Sequence, residues 1–221
     1  MRIFFIRHGD PDYETDTLTA EGRKQASAVA KRLLDENIDK IYSSTLGRAW
    51  QTAEAFSELS GIGPINELPF MCEIRYGREE ALYQSGHPWQ TADLIMADGN
   101  DLRTEKWREH PEFTDNTATE DVDRIARNTD EWLKTLGYVR EGLYYRNNNE
   151  QISDGTIAVF CHGGSTTAFL SRVLNQEFPY LCATIHLGFT AITVLRFDKT
   201  PGSLAMPIIE LLNDDRHAGN I

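Results

Sequence analysis

Short apolar runs alternate with helix-periodic segments along most of this 221-residue chain, and that alternation limits the fold more than any other feature. Residues 2–6 read as a buried strand: short, apolar and stopped by Gly9 and Pro11. In LTAEGRKQASAVAKRLLDE, the residues Ala26, Val29, Ala30, Leu33 and Leu34 share one helical face, with Thr19 as N-cap and Glu21 in the first turn. DKIYSS follows as a short strand. TLGRAWQTAEAFSELSG then gives a helix with Ala49, Ala53, Phe56 and Ser60 on one face and Gly61 as its stop, and PINELPF a third strand. In TATEDVDRIARNTDEWLKTLG, Thr117 and Glu120 fit a capping box. Its inner face is Val122, Ile125, Ala126, Thr129, Leu133 and Leu136, and Gly137 ends it. A polar loop, YYRNNNEQISDG, leads to TIAVFCHGGSTTAFLSRVLN, which reads as strand, Gly-Gly turn and a helix facing inward with Phe169, Leu170, Val173 and Leu174. FTAITVLRF and MPIIELL close the pattern as two strands around a Pro-Gly turn. Strands separated by helices make an α/β sandwich with a mostly parallel sheet, here one domain over residues 1–221. Residues 74–116 break the rhythm, apart from a helix near 89–97. They read as an insertion covering one end of the domain, with Trp89 and Trp107 packing it.

Bulk properties remove several classes of function. Apolar residues are 40% of the chain, enough for a sizeable core, but no run approaches the roughly 18 needed to cross a membrane. The opening MRIFFIRHGD lacks the pattern of a secretory signal, so a cytoplasmic protein is expected. Cys72, Cys161 and Cys182 show no paired spacing and read as free thiols, with Cys161 a buried strand residue. A formal charge of −12 repels nucleic acid and anionic lipid, and neither is expected as a partner. It repels phosphorylated ligands too, so any phosphate site must be built locally from arginines and backbone N–H groups.

Such a site is assembled at the strand ends. In open α/β sheets, ligands bind beyond the carboxyl ends of the strands. The first strand ends at Arg7-His8-Gly9, the second at Ser43-Ser44 with Arg48 in the following helical turn, and a later one at Cys161-His162-Gly163-Gly164. Arginine's planar fork matches phosphoryl oxygens. The helix opening at Gly163 offers N–H groups to the same anion. Neutral imidazole is a nucleophile near pH 7, so one histidine attacks phosphorus while the other donates to a non-bridging oxygen. The leaving alkoxide needs a proton, which calls for a nearby carboxylic acid. With no third ligand at a fitting spacing, a metal on His8 and His162 is not expected.

FFIRHG, LTAEGRKQA, IYSSTLGRAWQTAE, EIRYG and VFCHGG resemble, in that order, the motifs of the histidine phosphatase superfamily in its phosphoglycerate mutase-like branch. The resemblance spans about residues 2–80 and 117–175. It implies a three-layer α/β/α fold, a phosphohistidine intermediate and no metal or other cofactor. It further implies His8 as nucleophile, Arg7 and Arg48 as phosphate-binding arginines, His162 as the second histidine and Glu73 as proton donor. Gly163 joins the substrate-binding set, and Gly9 is read as the residue that lets the backbone turn away tightly.

Two departures stand out. Where mutases of the family carry Glu and Asn after RHG, this chain has Asp10 and Glu14, whose charge disfavours a bisphosphate. After Gly77 comes Arg78-Glu79-Glu80 rather than the family's usual continuation, and Glu79 and Glu80 compete with Glu73 for the acid's role. Arg75, Arg78, Tyr83 and His87 are candidates for the far end of the substrate, with surface or packing roles as the plainer reading. His110, His186 and His217 receive no role.

The expected function is metal-independent hydrolysis of a phosphomonoester, with a small phosphorylated metabolite or a phosphoprotein as partner. The alternatives are a cofactor-primed mutase and a phospho-ligand binding module with little turnover. The sequence specifies neither the substrate nor the oligomeric state.

Overall fold

A computed structural model describes residues 1–77 and 87–220. Its elements in chain order begin with β1 (Arg2–Arg7), β2 (Pro11–Asp12), β3 (Thr17–Leu18), α1 (Ala20–Leu33), β4 (Lys40–Ser43), α2 (Gly47–Ser60) and β5 (Ile65–Glu67). They continue with α3 (Pro88–Ala97), α4 (Pro111–Thr114), α5 (Thr117–Thr135), β6 (Tyr138–Glu141), β7 (Tyr144–Asn147), β8 (Thr156–Cys161) and α6 (Gly163–Leu174). The last are α7 (Phe178–Thr184), β9 (Ile192–Arg196), β10 (Leu204–Ala205) and β11 (Ile208–Asp214).

Six strands form the main sheet in the order β11-β9-β1-β8-β4-β5. β1, β8, β4 and β5 run parallel, and only β9 opposes its neighbours. β1 lies between β8 and β9, covered on both faces, which is why it reads as an unbroken apolar run. Ile3 and Phe5 pack with Val159, Cys161, Phe169 and Val173 on one side. Phe4 and Ile6 pack with Val29, Leu33, Ala53, Phe56 and Phe160 on the other. Burying each of these large side chains stabilises the fold by about 1.5–3 kcal/mol. Helices α1 and α2 close one face of the sheet and α5 and α6 the other, giving three layers.

The helix signals hold with local changes. Thr19 caps α1, its hydroxyl accepting from Gly22 N at 3.0 Å, and Gly61 ends α2 in the left-handed region at φ 74°. The cap of α5 is Asn116 rather than Thr117; its side chain accepts from Ala118 N at 3.0 Å and Gly77 N at 3.2 Å. Asn116 can reach a second loop with the same oxygen, a use not coded by the capping-box spacing. The polar loop expected from Tyr144 starts instead as β7, paired with β6. Tyr145 points inward and its hydroxyl donates to Asp130 at 2.8 Å, so a polar-looking stretch is a half-buried hairpin. Helix α7 was not evident from periodicity; it packs Phe178, Leu181 and Cys182 inward. Among the described residues no helix is long and apolar enough to cross a membrane.

Candidate active site

Because β1, β8 and β4 are adjacent and parallel, their carboxyl ends lie together. His8 N donates to Cys161 O at 3.0 Å and Ser44 N to Phe160 O at 2.9 Å, so the residues after the three strands are stitched side by side. His8 and His162 follow directly, 1% and 0% exposed, with ring centroids 5.0 Å apart.

Each imidazole is held by a specific contact. His8 Nδ1 lies 2.7 Å from Gly9 O, an acceptor only, so Nδ1 carries the proton and Nε2 keeps its lone pair. Nε2 faces Arg48, whose Nε lies 3.4 Å away. Burial pushes the His8 imidazole down to about 3, and the nearby Arg7 and Arg48 charges act in the same direction. His162 is pushed well below its ordinary value by burial and by His8 and both arginines. Its Nε2 lies 2.8 Å from Ser44 Oγ, and its Nδ1 is buried with no protein partner. If the Ser44 hydroxyl donates to Nε2, Nδ1 carries a proton free to donate to a ligand.

The arginines are braced from behind. Arg7 donates from Nη1 to Leu187 O at 2.5 Å and its guanidinium lies 4.2 Å from the Phe189 ring centroid, while its buried Nε has no protein partner. Arg48, in the first turn of α2, pairs with Asp16. The other Asp16 oxygen accepts from Gly47 N at 2.7 Å, and Asp16 itself sits at φ 52°. Sequence reasoning missed Asp16, which lies far from Arg48 in the chain and belongs to no periodic segment. It also gave Ser44 no role.

Glu73 completes the group. Its Oε1 accepts from Ile74 N at 2.9 Å and Ser165 N at 3.1 Å, and its Oε2 from Gly164 N at 3.3 Å. Burial pushes this carboxyl up from its ordinary value, against the pull of those N–H groups and of Arg7. A methyl group on Gly164 would stand 2.5 Å from Glu73 Oε1 and 2.6 Å from Ile74 Cγ1, so the second glycine of the HGG motif makes room for the acid. Gly163 tolerates a Cβ at 3.7 Å from Arg7 Nε, and it lines the cavity at the start of α6.

The glycine of the RHG motif works differently from the tight turn expected of it. Gly9 is not in the left-handed region; a Cβ there would stand 2.5 Å from Gly22 O, and one on Gly22 only 2.1 Å from Asp10 O. The two glycines let α1 lie directly on the loop that follows β1.

A cavity of about 390 Å³ opens at this point. It is lined by Arg7, Arg48, Glu73 and Gly163, and by Tyr13, Tyr76, His87, Trp89, Gln90, His186 and Leu187. The expectations for its outer part are only partly met. His87 lines it, but exposed Arg75 turns away to hold Asp121 through Nε at 3.0 Å and Nη2 at 3.1 Å. Trp89 packs on Phe178 as expected and faces the cavity as well. Trp107 is fully buried, donating to Glu177 at 2.7 Å. His186, given no role, is in the wall. Arg78, Glu79, Glu80 and Tyr83 lie outside the described residues.

Neither Asp10 nor Glu14 lines this cavity. Asp10 Oδ2 accepts from Thr19 Oγ1 at 2.6 Å at the start of α1, and Glu14 forms an exposed turn on Asp12. The acid paired with Arg48 is Asp16. Cys161 is buried against Thr166 Oγ1 at 3.1 Å and its thiol is pushed up to about 12, which removes nucleophilic character. Among the described residues, no group of three or more His, Cys, Asp or Glu side chains is arranged to hold a metal.

Comparison with known proteins matches this architecture. A Schizosaccharomyces pombe protein named as a probable phosphatase is 35% identical over 186 residues, covering 80% of this chain and 75% of its own. A probable phosphoglycerate mutase from Serratia proteamaculans is 33% identical over 98 residues, 40% of this chain and 45% of the relative. Among solved structures, phosphoserine phosphatase from Entamoeba histolytica, a mutant in complex with phosphoserine, superposes with a TM-score of 0.65 at 22% identity over 98% of both chains. A mycobacterial glucosyl-3-phosphoglycerate phosphatase gives 0.63 at 22% identity, over 96% of this chain and 98% of its own. The sequence profile of the histidine phosphatase superfamily (branch 1) matches residues 3–207. The chain therefore belongs to that superfamily and is an enzyme of the histidine phosphatase type.

Proposed function

We propose that this enzyme hydrolyses a small phosphomonoester without a metal, through a phosphohistidine on His8. The observation that carries the reading is the His8 ring. Its Nδ1 proton is committed to Gly9 O, which leaves the Nε2 lone pair between Arg48 and the second histidine. Nε2 attacks phosphorus and the P–O bond to the leaving group breaks. Arg7, Arg48, the His162 Nδ1 and the N–H of Gly163 hold the non-bridging oxygens, a preorganised set of donors aimed at the developing charge. Glu73, whose burial favours the protonated form, gives its proton to the departing oxygen. The resulting carboxylate takes a proton from water, which attacks phosphohistidine and releases phosphate. Within this one domain, Tyr76, His87, Trp89 and Gln90 of the 74–116 stretch supply part of the outer wall of the site. The expected compartment is the cytoplasm, with Cys72, Cys161 and Cys182 as free thiols.

The test is phosphate release from p-nitrophenyl phosphate with and without EDTA, with acid-labile, alkali-stable phosphoenzyme trapped by rapid quench. Turnover and trapping in the wild type, both lost in a folded His8→Ala variant, are expected. Turnover that survives the substitution refutes the assignment, and binding of phosphate without turnover makes this a binding module. Partial matches to proteins named as mutases favour transfer back to substrate as a second reading. Incubation with 3-phosphoglycerate and a bisphosphoglycerate primer separates the two: free phosphate marks hydrolysis, and 2-phosphoglycerate marks a mutase.

A further inference from the structure

Among the described lining residues, the arginines and the carboxyl all sit at the inner end of the cavity. Among the described lining residues the cations are Arg7 and Arg48, both at the histidines, and the single carboxyl is Glu73, fastened to α6. Beyond them the wall is Tyr13, Tyr76, His87, Trp89, Gln90 and His186. Burial holds the His87 imidazole below its ordinary value, so that ring is neutral at pH 7. The aromatic groups are arranged as a unit. Tyr76 meets His87 edge-on with centroids 4.5 Å apart, and His87 meets Trp89 at 5.1 Å. Trp89 is anchored in turn against Phe178 at 6.5 Å. Across the mouth, the Tyr13 ring lies 5.4 Å from the Arg48 guanidinium.

A wall of this kind selects a leaving group by two effects. Aromatic faces with polar edges gain contact area and ring–ring or C–H contacts from a ring-bearing ligand, while phenol, imidazole and amide groups satisfy neutral hydroxyls. A carboxylate or a second phosphate on the leaving group finds no further cation in the described wall. It also enters against a chain of formal charge −12. Burying it there leaves the charge unpaired, which is costly.

We infer that the preferred substrate is a monophosphate ester of an uncharged, ring-bearing alcohol, its ring seated on Tyr76, His87 and Trp89. Small anionic alcohols such as those of phosphoserine or phosphoglycerate are disfavoured. This rests on the phosphatase reading above. The shared chemistry, an uncharged ring carrying a phosphorylated hydroxyl, covers both aryl-type and sugar-type rings.

The experiment compares kcat/KM for benzyl phosphate, methyl β-ribofuranoside 5-phosphate, phosphoserine and 3-phosphoglycerate, by phosphate release at one pH. These esters have similarly basic alkoxide leaving groups, so recognition rather than intrinsic reactivity separates them. At least one of the two ring-bearing esters should exceed both anionic ones by tenfold or more, and which does so identifies the ring type. In Trp89→Ala the ratio of kcat/KM for the preferred ring ester over that for 3-phosphoglycerate should fall at least fivefold, and Trp89→Phe should restore most of it. A merely structural role for Trp89 would scale all substrates together and leave the ratio unmoved. His8-dependent phosphate release without any preference for the ring esters overturns this inference and leaves the phosphatase reading standing. No phosphate release from any ester overturns both.

Discussion

An ordinary histidine is about 97% protonated at pH 5 and useless as a nucleophile, whereas a ring with its value near 3 is about 99% neutral there. On that basis lowering the pH from 7 to 5 should leave the His8 lone pair available, where an unperturbed histidine would lose about 25-fold of its neutral form. The same shift links to stability. The folded-state value is depressed, so the unfolded chain takes up the proton first. Stability is then present in full above pH 6.5 and is lost as pH falls from 6.5 towards 3. Between pH 7 and 5, His8 alone should account for about 2 kcal/mol of lost stability, since nearly all its uptake in that interval is in the unfolded state. Burial of His162 adds in the same direction. The assays are an NMR titration of the His8 ring and urea unfolding at pH 7 and 5 for wild type and His8→Asn. The variant should lose about 2 kcal/mol less than wild type over that interval. A His8 resonance that titrates near 6.5, or equal losses in the two proteins, would refute the reasoning, since burial would then not be holding the ring neutral.

Glu73→Gln should lower kcat on alkyl phosphates about 10²–10⁴-fold and affect p-nitrophenyl phosphate far less, because only a basic leaving oxygen needs the proton; equal losses on both ester classes would remove Glu73 from the acid's role. Gly164→Ala should drive Glu73 from its N–H bonds, costing about 1–3 kcal/mol by overpacking and reproducing the leaving-group selectivity of Glu73→Gln; urea unfolding and ester panels check the two effects, and wild-type behaviour in both would show the contact to be soft. Asp16→Asn should weaken competitive inhibition by vanadate and raise KM about tenfold by loosening the Arg48 fork, one lost charged hydrogen bond being worth about 1.5–3 kcal/mol. An unchanged inhibition constant would show that Arg48 holds its place without Asp16.

What could be read from the sequence follows how local each signal is. β1 and the α1 and α2 faces are written in contiguous residues, and the parallel order then forces His8, Ser44 and His162 to one edge. The gathering of His8, Arg48 and His162 was legible because each directly follows a strand or opens a helix, whereas Glu73 does neither and was named only through the resemblance. Asp16 was not, because its partner lies across the site and its left-handed backbone has no periodic mark. The charge expected from Asp10 and Glu14 failed for a related reason. Position after a motif does not say where a side chain points, and the start of α1 claims Asp10. β7 was hidden because its inward tyrosine satisfies its hydroxyl on Asp130, so the strand retains polar residues inside. The outer wall of the cavity draws on four separated stretches, and no spacing rule unites Tyr13, Tyr76, Trp89 and His186.

The attachment of Glu73 has a consequence for how such an enzyme diversifies. Glu73 immediately precedes the 74–116 stretch, yet both its oxygens are tied to the first turn of α6, the helix that opens beside His162. On the proposed mechanism, the bond-breaking groups thus form one mechanical unit of sheet edge and helix end. On the same reading, the residues that would meet the leaving group, Tyr76, His87, Trp89 and Gln90, sit in a stretch outside that unit. On that reading, substitutions at the mouth should change which leaving group is accepted while the α6 anchors of Glu73 stay in place.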